Sequence, residues 1–576
     1  MDRVSAALPC LRPNIEHHLD PHPVMRSSNQ IRSEFLDFFR SKGHAIVPSD
    51  SVVPADDPTL LFTNAGMNQF KKIFLGLETR AYTRAADSQK VLRVSGKHND
   101  LEEVGRDHTH HTFFEMLGNW SFGDYYKREA IAWAWELLTG VWRLPPDKLY
   151  ATVFETDDES LQIWRTQTGI DHSHISRHGA RDNFWEMGET GPCGPCSEIH
   201  MDMGPGTCAH EGKGGHACGV NVDGCGRFVE IWNLVFIQYD RQKDEVLKEL
   251  PSRHVDTGMG FERLVRVLQG AASNYDTDLF RPLIERVEQL SGKTYSPGPE
   301  GTSFRVVADH VRALAFTVGD GVVPSNEGRG YVIRRILRRA ARHGRLLGLK
   351  APFLHELAGR VVDLMGGAYP DLTARREHIA SVIRGEEERF GETLDQGLSL
   401  FDEIAQKLRK TQGAVIAGSE AFKLYDTYGF PLDLTQVMAE ESGFTVDVEG
   451  FDAAMREQRE RARAARGEVT FQASKDVDYP ACVFVGYQSL SRETTVTGIY
   501  RKQLALAEAQ RGERVDVTLA DTPFYGESGG QAGDVGTIES PRGTPRVLAT
   551  VKAFNQSTVH GCEVVSGAVA VGGEVT

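Results

Sequence analysis

The chain has 576 residues, 40% hydrophobic and 25% charged, the proportions of an ordinary globular protein with room for three or four domains. No apolar run approaches the roughly 18 residues of a membrane-spanning helix, and the opening MDRVSAALPCLRPNIEHHLDPHPV lacks the basic-then-apolar layout of a secretory signal. A net charge of −15 argues against general polyanion binding, although a local basic surface can persist within an acidic whole.

Residues 1–24 read as a disordered extension outside the fold. From SSNQIRSEFLDFFRSKG, the residues Ile31, Phe35, Phe38 and Phe39 recur on one face of an amphipathic helix. Ser27 with Gln30 forms a capping-box pattern, and Gly43 is the expected stop. Short β-like runs follow at HAIVP, TLLFTNAG, YTRAADSQKVLRVSG and HTFFEMLGNWSF, then at KLYATVFET and FVEIWNLVFIQYD. A mixed sheet with flanking helices through about residue 270 is the economical arrangement. From about 276 to 465 the periodicity becomes helical, as in RGYVIRRILRRAARHGRLLG and REHIASVIRGEEERFGETLDQGLSLFDEIAQKLRK. GEVTFQASKDVDYP reads as a linker, and the alternating, Gly- and Pro-punctuated runs beyond it predict a small β domain.

Several residues in this frame suit a nucleotide. Arg84 lies in the strand of YTRAAD, where a charge turned to a buried face needs an anion, whereas on a surface edge it needs none. The long polar loop SGKHNDLEEVGRDH joins that strand to the aromatic run HHTFFEMLGNWSFGDYY. There His110 and Phe114, four residues apart, fall on one strand face, a ring to stack on a base beside an imidazole for phosphate oxygens. In VDTGMGFERLV, Gly258 and Gly260 permit close backbone approach and lead into a helix carrying Arg263.

These stretches, with DPTLLFTNAGMNQFK, GKHNDLEEVG, DNFWEMGETGPCGPCSEIH, EIWNLVFIQY, PSNEGRGYVIRRILRRA, LYDTYGFP and PFYGESGGQAGD, resemble the class II aminoacyl-tRNA synthetases, and within them the alanyl-tRNA synthetase family. The resemblance runs from about residue 25 to the end. It implies an α+β chain: a class II antiparallel-sheet catalytic domain over 25–275, an all-α tRNA-recognition domain over 276–465, and over 480–576 the start of a β-barrel, editing-associated domain, incomplete here. The implied activity is ATP-dependent formation of alanyl-adenylate and transfer of alanine to tRNA(Ala), with ATP, L-alanine, Mg²⁺ and tRNA(Ala) as partners, no membrane, a cytoplasmic setting and a monomer. A tRNA-binding relative without catalysis is the rival, against which the joint presence of Arg84, Asp256 and Arg263 speaks.

Carried over by position, Arg84 resembles the motif 2 arginine at the α-phosphate and Arg263 the motif 3 arginine at the γ-phosphate. Ala86 stands where the class pattern has an acid. His98, His110, Phe114 and Gly258 join the ATP site, with Phe114 stacking on adenine, while Trp120 and Phe122 are assigned to packing. Trp185, Asn233, Val235 and Asp256 line the alanine pocket, where Asp256 pairs with the ammonium and Val235 limits side-chain size. Asn326 and Asp426 match readers of the acceptor-stem G·U pair. Arg334 and Arg338 belong to a basic row with Arg342 and Arg345 that is either RNA-facing or simply solvated.

Five of the eight cysteines lie between 193 and 225. Without an export signal, clustered thiols suggest a metal site or a reduced loop over a disulfide framework. Cys208, Cys218 and Cys225, with His210 and His216, sit in a Gly-rich insertion; three thiolates and an imidazole such as His216 suit structural Zn²⁺, and unligated thiols are the alternative. His174 and His178 show the i, i+4 spacing of a zinc helix without a third ligand. The zinc-binding motif of the family's editing site has no match in context, so no editing-site Zn²⁺ and no clearance of Ser- or Gly-tRNA(Ala) are expected.

Overall fold

The computed structural model describes residues 25–576 apart from 55–59, 96–97, 102, 209, 466–476, 487–488, 502, 528–532 and 554–556. The predicted first helix is α1 (Ser28–Ser41), and its capping box forms as expected: Ser27 Oγ accepts from Gln30 N at 3.3 Å, and Gln30 Oε1 accepts from Ser27 N at 2.9 Å. Gly43, at φ +84°, takes the left-handed turn that ends it. Ile31, Phe35 and Phe39 are fully buried. Arg32, which the apolar periodicity does not mark, is buried as well; its guanidinium meets Glu115 at 2.6 and 2.8 Å, and Ser88 adds a third bond to that carboxylate.

α1 accompanies a nine-stranded sheet built from β1 (Ala45–Ile46), β2 (Arg84–Leu92), β3 (Phe113–Phe122), β4 (Leu149–Phe154), β5 (Ile175–His178), β6 (Phe184–Glu186), β7 (Gly191–Asp202), β8 (Phe228–Arg241) and β9 (Leu247–Gly260). The order is β1-β2-β3-β9-β8-β7-β4-β5, with β6 paired to β7. Only the β1–β2 and β4–β5 pairs are parallel, so the sheet is antiparallel-dominated. β9 feeds directly into α2 (Phe261–Gln269).

One expectation changes, and one strand is new. TLLFTNAG is no strand; it turns into a short 3-10 helix from Gly66 to Phe70. GPCGPCSEIHMD, too rich in Gly and Pro to read as a strand, is the wholly buried β7. A Cβ on Gly194 would lie 2.1 Å from the Phe236 carbonyl oxygen, so the glycine is what lets β7 pass beside β8 at the irregularity in their register.

Two compact units divide the chain, one comprising residues up to 289 with 294–305, the other 290–293 with 306–576. The second is helical at first, through most of α3 (Thr302–Gly319), then α4 (Gly328–Leu346), α5 (Arg376–Thr411) and α6 (Gly418–Tyr428). It then carries an eight-stranded sheet whose centre is β10 (Thr494–Arg501), β11 (Arg514–Leu519), β13 (Thr558–Ala570) and β12 (Gly543–Lys552), in that order and antiparallel throughout. Val496, Val517, Val547 and Val564 form part of its core. The disordered-extension reading of 1–24 lies outside the described residues. No helix among the described residues is long and apolar enough to cross a membrane.

Candidate active site

The register of three central strands builds the site. Val235 on β8 pairs with Asp256 on β9 and with Cys196 on β7, and Asn233 pairs with Gly258 and Glu198. Positions two apart on a strand share a face, and directly paired positions share it too. These six residues therefore tile one patch of the sheet in two rows, and all six line a cavity of about 850 Å³.

Asp256 is 5% exposed and accepts a 2.7 Å hydrogen bond from the Trp120 indole. Burial pushes its carboxyl up to about 7, with the Trp120 bond opposing the rise. Trp120, expected only as packing, packs on Phe70 and also fixes the orientation of this carboxylate. Trp185 on β6 and Val235 close the same end with Cys196 and Ile237. Asp256, Glu198 and the Asn233 amide are the polar groups of the two-row patch, set beside Val235, Cys196 and Trp185, a lining suited to a small ligand with one cationic group.

The other end is cationic. Arg263, in the first turn of α2, donates to Glu230 Oε2 at 3.1 Å and to the Glu230 carbonyl at 3.2 Å. Burial works against ionisation of Glu230, yet the charges of Arg263, His200 and Arg93 prevail and hold its carboxyl below the ordinary range. The Arg93 guanidinium lies 5.1 Å over the Phe114 ring and donates to the Asn64 carbonyl at 3.1 Å. His110 bonds Asp107, which raises the imidazole's pKa, so His110 adds a readily protonated group to this end. His110 precedes β3 and does not lie on it, yet it and Phe114 both face the cavity. Its neighbour His111 is structural, bonded to Asn274 at 2.8 Å and stacked on Phe280.

Thus Phe114, His110, Trp185, Asn233, Val235, Asp256, Gly258 and Arg263 come together as expected. Arg84 does not. It opens β2, pairs with Asp124 at 2.8 Å and with the Lys42 carbonyl at 2.8 Å, and borders a separate surface hollow beside Gly43 and His44. Nine residues of extended chain, roughly 30 Å, separate it from Arg93, the arginine that does line the cavity and that the sequence reading passed over. β2 and β3 are antiparallel, with Leu92 against Phe113 and Arg84 against Ser121, so Arg93 stands at the Phe114 end and Arg84 at the far end. The backbone of His98 forms a two-residue strand with Asn99, but its side chain is outside the described residues.

In the helical part of the other unit, the basic row of α4 is neither solvated nor open. Glu386 on α5, 1% exposed, accepts from Arg334 at 3.0 Å and from Arg338 at 2.8 Å. Arg342 pairs with Glu441 and Arg345 with Asp395. Arg334 also bonds the exposed Asn326, and Arg338 bonds the carbonyl of Gly429, the left-handed cap of α6. Exposed Asp426 stands on that helix and accepts from Gln458 at 3.3 Å. Arg334 and Arg338 therefore spend their charge inside the unit, as supports of the elements that carry Asn326 and Asp426.

Cys208, His216, Cys218 and Cys225 converge in the loop between β7 and β8, with ligand atoms within 4.8 Å of one another. His174 and His178 do not: His174 stacks on Tyr150 at 3.9 Å, and His178 ends β5 against Ser176.

The profile of the family described as tRNA synthetases class II (A) matches residues 30–576. The alanine–tRNA ligase of Chlorobium chlorochromatii is 56% identical over 536 residues, 91% of this chain and 58% of that protein. The alanine–tRNA ligase of Chlorobium luteolum is 55% identical over 544 residues, 92% of this chain and 59% of that protein. The chain thus spans somewhat under three fifths of the length of these curated relatives. A match of the family profile over nearly the whole sequence, on a chain whose antiparallel sheet gathers an aromatic ring, two arginines and a buried carboxylate in one cavity, identifies this chain as a member of the tRNA synthetases of class II (A).

Proposed function

We propose that this chain is an alanine–tRNA ligase, which joins alanine to ATP as alanyl-adenylate, releasing pyrophosphate, and then passes alanine to the 3′ end of tRNA(Ala). The observation that carries this is the cavity with the buried Asp256 carboxylate beside apolar Val235 and Trp185 at one end and Arg93, Arg263 and Phe114 at the other. Trp120 occupies one oxygen of Asp256, leaving the other for the ammonium of the amino acid, while Val235 and Trp185 fit a methyl group. Phe114 offers its face to adenine. Arg93 takes the α-phosphate role first sought at Arg84, and Arg263 faces the γ-phosphate, both neutralising charge as the alanine carboxylate attacks in line. Catalysis by position and cationic stabilisation needs no protein nucleophile.

Mg²⁺ fits the same cavity, since Glu198 and Glu230 supply the hard carboxylate oxygens it prefers. When bound it screens the phosphate charges. In this reading residues 25–275 form the catalytic domain, 276–465 the helical tRNA-recognition domain, and 480–576 a β-barrel domain, all in a cytoplasmic enzyme. Asn326 and Asp426 read the acceptor-stem G·U pair by hydrogen bonds, held in place by Arg334 and Arg338.

The test is alanine-, glycine- and serine-dependent ATP–pyrophosphate exchange. Exchange strongest with alanine is expected; none with any of the three from folded protein would refute the proposal.

The same assay carries a pH signature. Because the folded pKa of Asp256 lies near 7, above the ordinary carboxylate value, ionising it costs stability that grows from about pH 4 and levels off above 7. An ammonium partner favours the ionised form. The KM for alanine should therefore rise by up to about tenfold per pH unit as pH falls below 7, with kcat changing little. A KM flat between pH 6 and 8 would contradict the role of Asp256.

A further inference from the structure

We infer that Cys208, His216, Cys218 and Cys225 bind one structural Zn²⁺ that staples the β7–β8 connection. The four ligand atoms lie within 4.8 Å of one another, and Cys208 Sγ is 3.5 Å from His216 Nε2. A tetrahedral Zn²⁺ with ordinary Zn–S and Zn–N bonds sets its sulfur–nitrogen edge at about 3.6 Å and its sulfur–sulfur edges at about 3.8 Å. The Cys208–His216 edge already has the length of a filled site, and the others, at 4.8 Å or less, need close by no more than about 1 Å. Cys208 is buried, and the other three ligands are half-buried, which leaves the centre closed, with no side left for a substrate.

The connection needs such a centre. It is polar and Gly-rich, with Gly206, Gly212, Gly214, Gly215 and Gly224 all at positive φ. A segment of that composition loses much backbone entropy on ordering and has little apolar surface to bury in return. Among the described residues its ties, besides the four converging side chains, include the Arg227–Asp202 pair at its base, at 2.6 Å, a Glu211 carboxylate that accepts from Gly206 N at 2.6 Å, and an Arg181–Asp223 pair, also at 2.6 Å, on an exposed surface.

The staple also reaches the cavity. Asn221 lies between the ligands Cys218 and Cys225, at φ +54°, and its amide donates at 2.9 Å to Glu198 Oε2. Glu198 lines the cavity, so the metal holds the loop that orients one of its carboxylates. This inference stands whatever the cavity binds.

The experiment measures metal in the whole chain, purified from zinc-replete cells and dialysed without chelator. About one zinc per chain is expected, lost in C208S and in C218S and retained in C482S, whose thiol lies in the other unit. Exchange for Co²⁺ should give the intense visible bands and thiolate charge transfer of a tetrahedral sulfur-rich site. Hydrogen exchange across 203–227 should speed up when zinc is removed. Substoichiometric zinc, below about a tenth per chain, in folded wild type would overturn the inference, as would full zinc retention in a C208S/C225S double variant.

Discussion

Replacing Arg93 by alanine is expected to lower alanine-dependent ATP–pyrophosphate exchange by about 10²–10³-fold, the usual loss when one preorganised donor to developing charge is removed. Arg93 is the cation that lines the cavity beside the Phe114 ring, with Arg263 across from it on Glu230. Burial lowers its pKa from the ordinary arginine value, opposed by the nearby Asp100 carboxylate. Replacing Arg84 instead removes a half-exposed pair with Asp124, worth at most about 1 kcal/mol, and should leave exchange unchanged. The two substitutions, compared in one assay, decide which arginine of this strand serves the nucleotide. Loss of exchange on Arg84→Ala with retention on Arg93→Ala would reverse the assignment.

The second large effect is predicted at Glu386, far in sequence from any ligand. Its buried carboxylate neutralises Arg334 and Arg338, whose side chains are only 17% and 15% exposed. Glu386→Ala would leave two poorly solvated guanidinium groups unpaired. A loss of about 3–5 kcal/mol is expected, visible as a lower midpoint in thermal or denaturant unfolding. Glu386→Gln keeps the shape and part of the hydrogen bonding. For that variant, alanine-dependent exchange should persist while kcat/KM for tRNA(Ala) falls by about tenfold, or 1.4 kcal/mol. The split follows from what the arginines do next: Arg334 holds Asn326, and Arg338 holds the cap of the helix bearing Asp426. Equal losses in both assays would mean that Glu386 acts only through general stability.

Comparing these two sites shows what the sequence discloses and what it hides. Phe114, Asp256 and Arg263 were legible because each stands in a short motif whose spacing places it on a known strand face or helix start. Helix α1 was legible for a similar reason, its cap and its apolar stripe agreeing. Arg93 was passed over although it sits in the same predicted strand as Arg84, because a strand's sequence says which face a side chain takes but not which end meets the ligand. The end is set by pairing with β3, which puts Leu92 against Phe113 and Arg84 against Ser121.

The α4 arginines illustrate a second limit. Helical periodicity correctly grouped them on one side, but whether that side meets solvent, RNA or protein depends on Glu386, Glu441 and Asp395, residues 48 or more positions away. β7 illustrates a third. Its glycines and prolines argue for a loop, and only the pairing of Gly194 against the β8 backbone, a tertiary contact, makes them fit a strand. The metal ligands lie between these cases: composition flagged the thiols, and the fold selected His216 over His210 as the fourth member.

The central claim is that one cavity holds an amino acid at Asp256 and a nucleotide at Arg93 and Phe114. Calorimetric titration with a non-hydrolysable analogue of alanyl-adenylate tests it most directly, because the analogue spans both ends. One tight site per chain is predicted, weakened by at least about a hundredfold, or 2.7 kcal/mol, in Asp256→Asn and in Arg93→Ala alike. Absence of binding to the folded wild-type chain, or tight binding that neither substitution disturbs, would contradict the account.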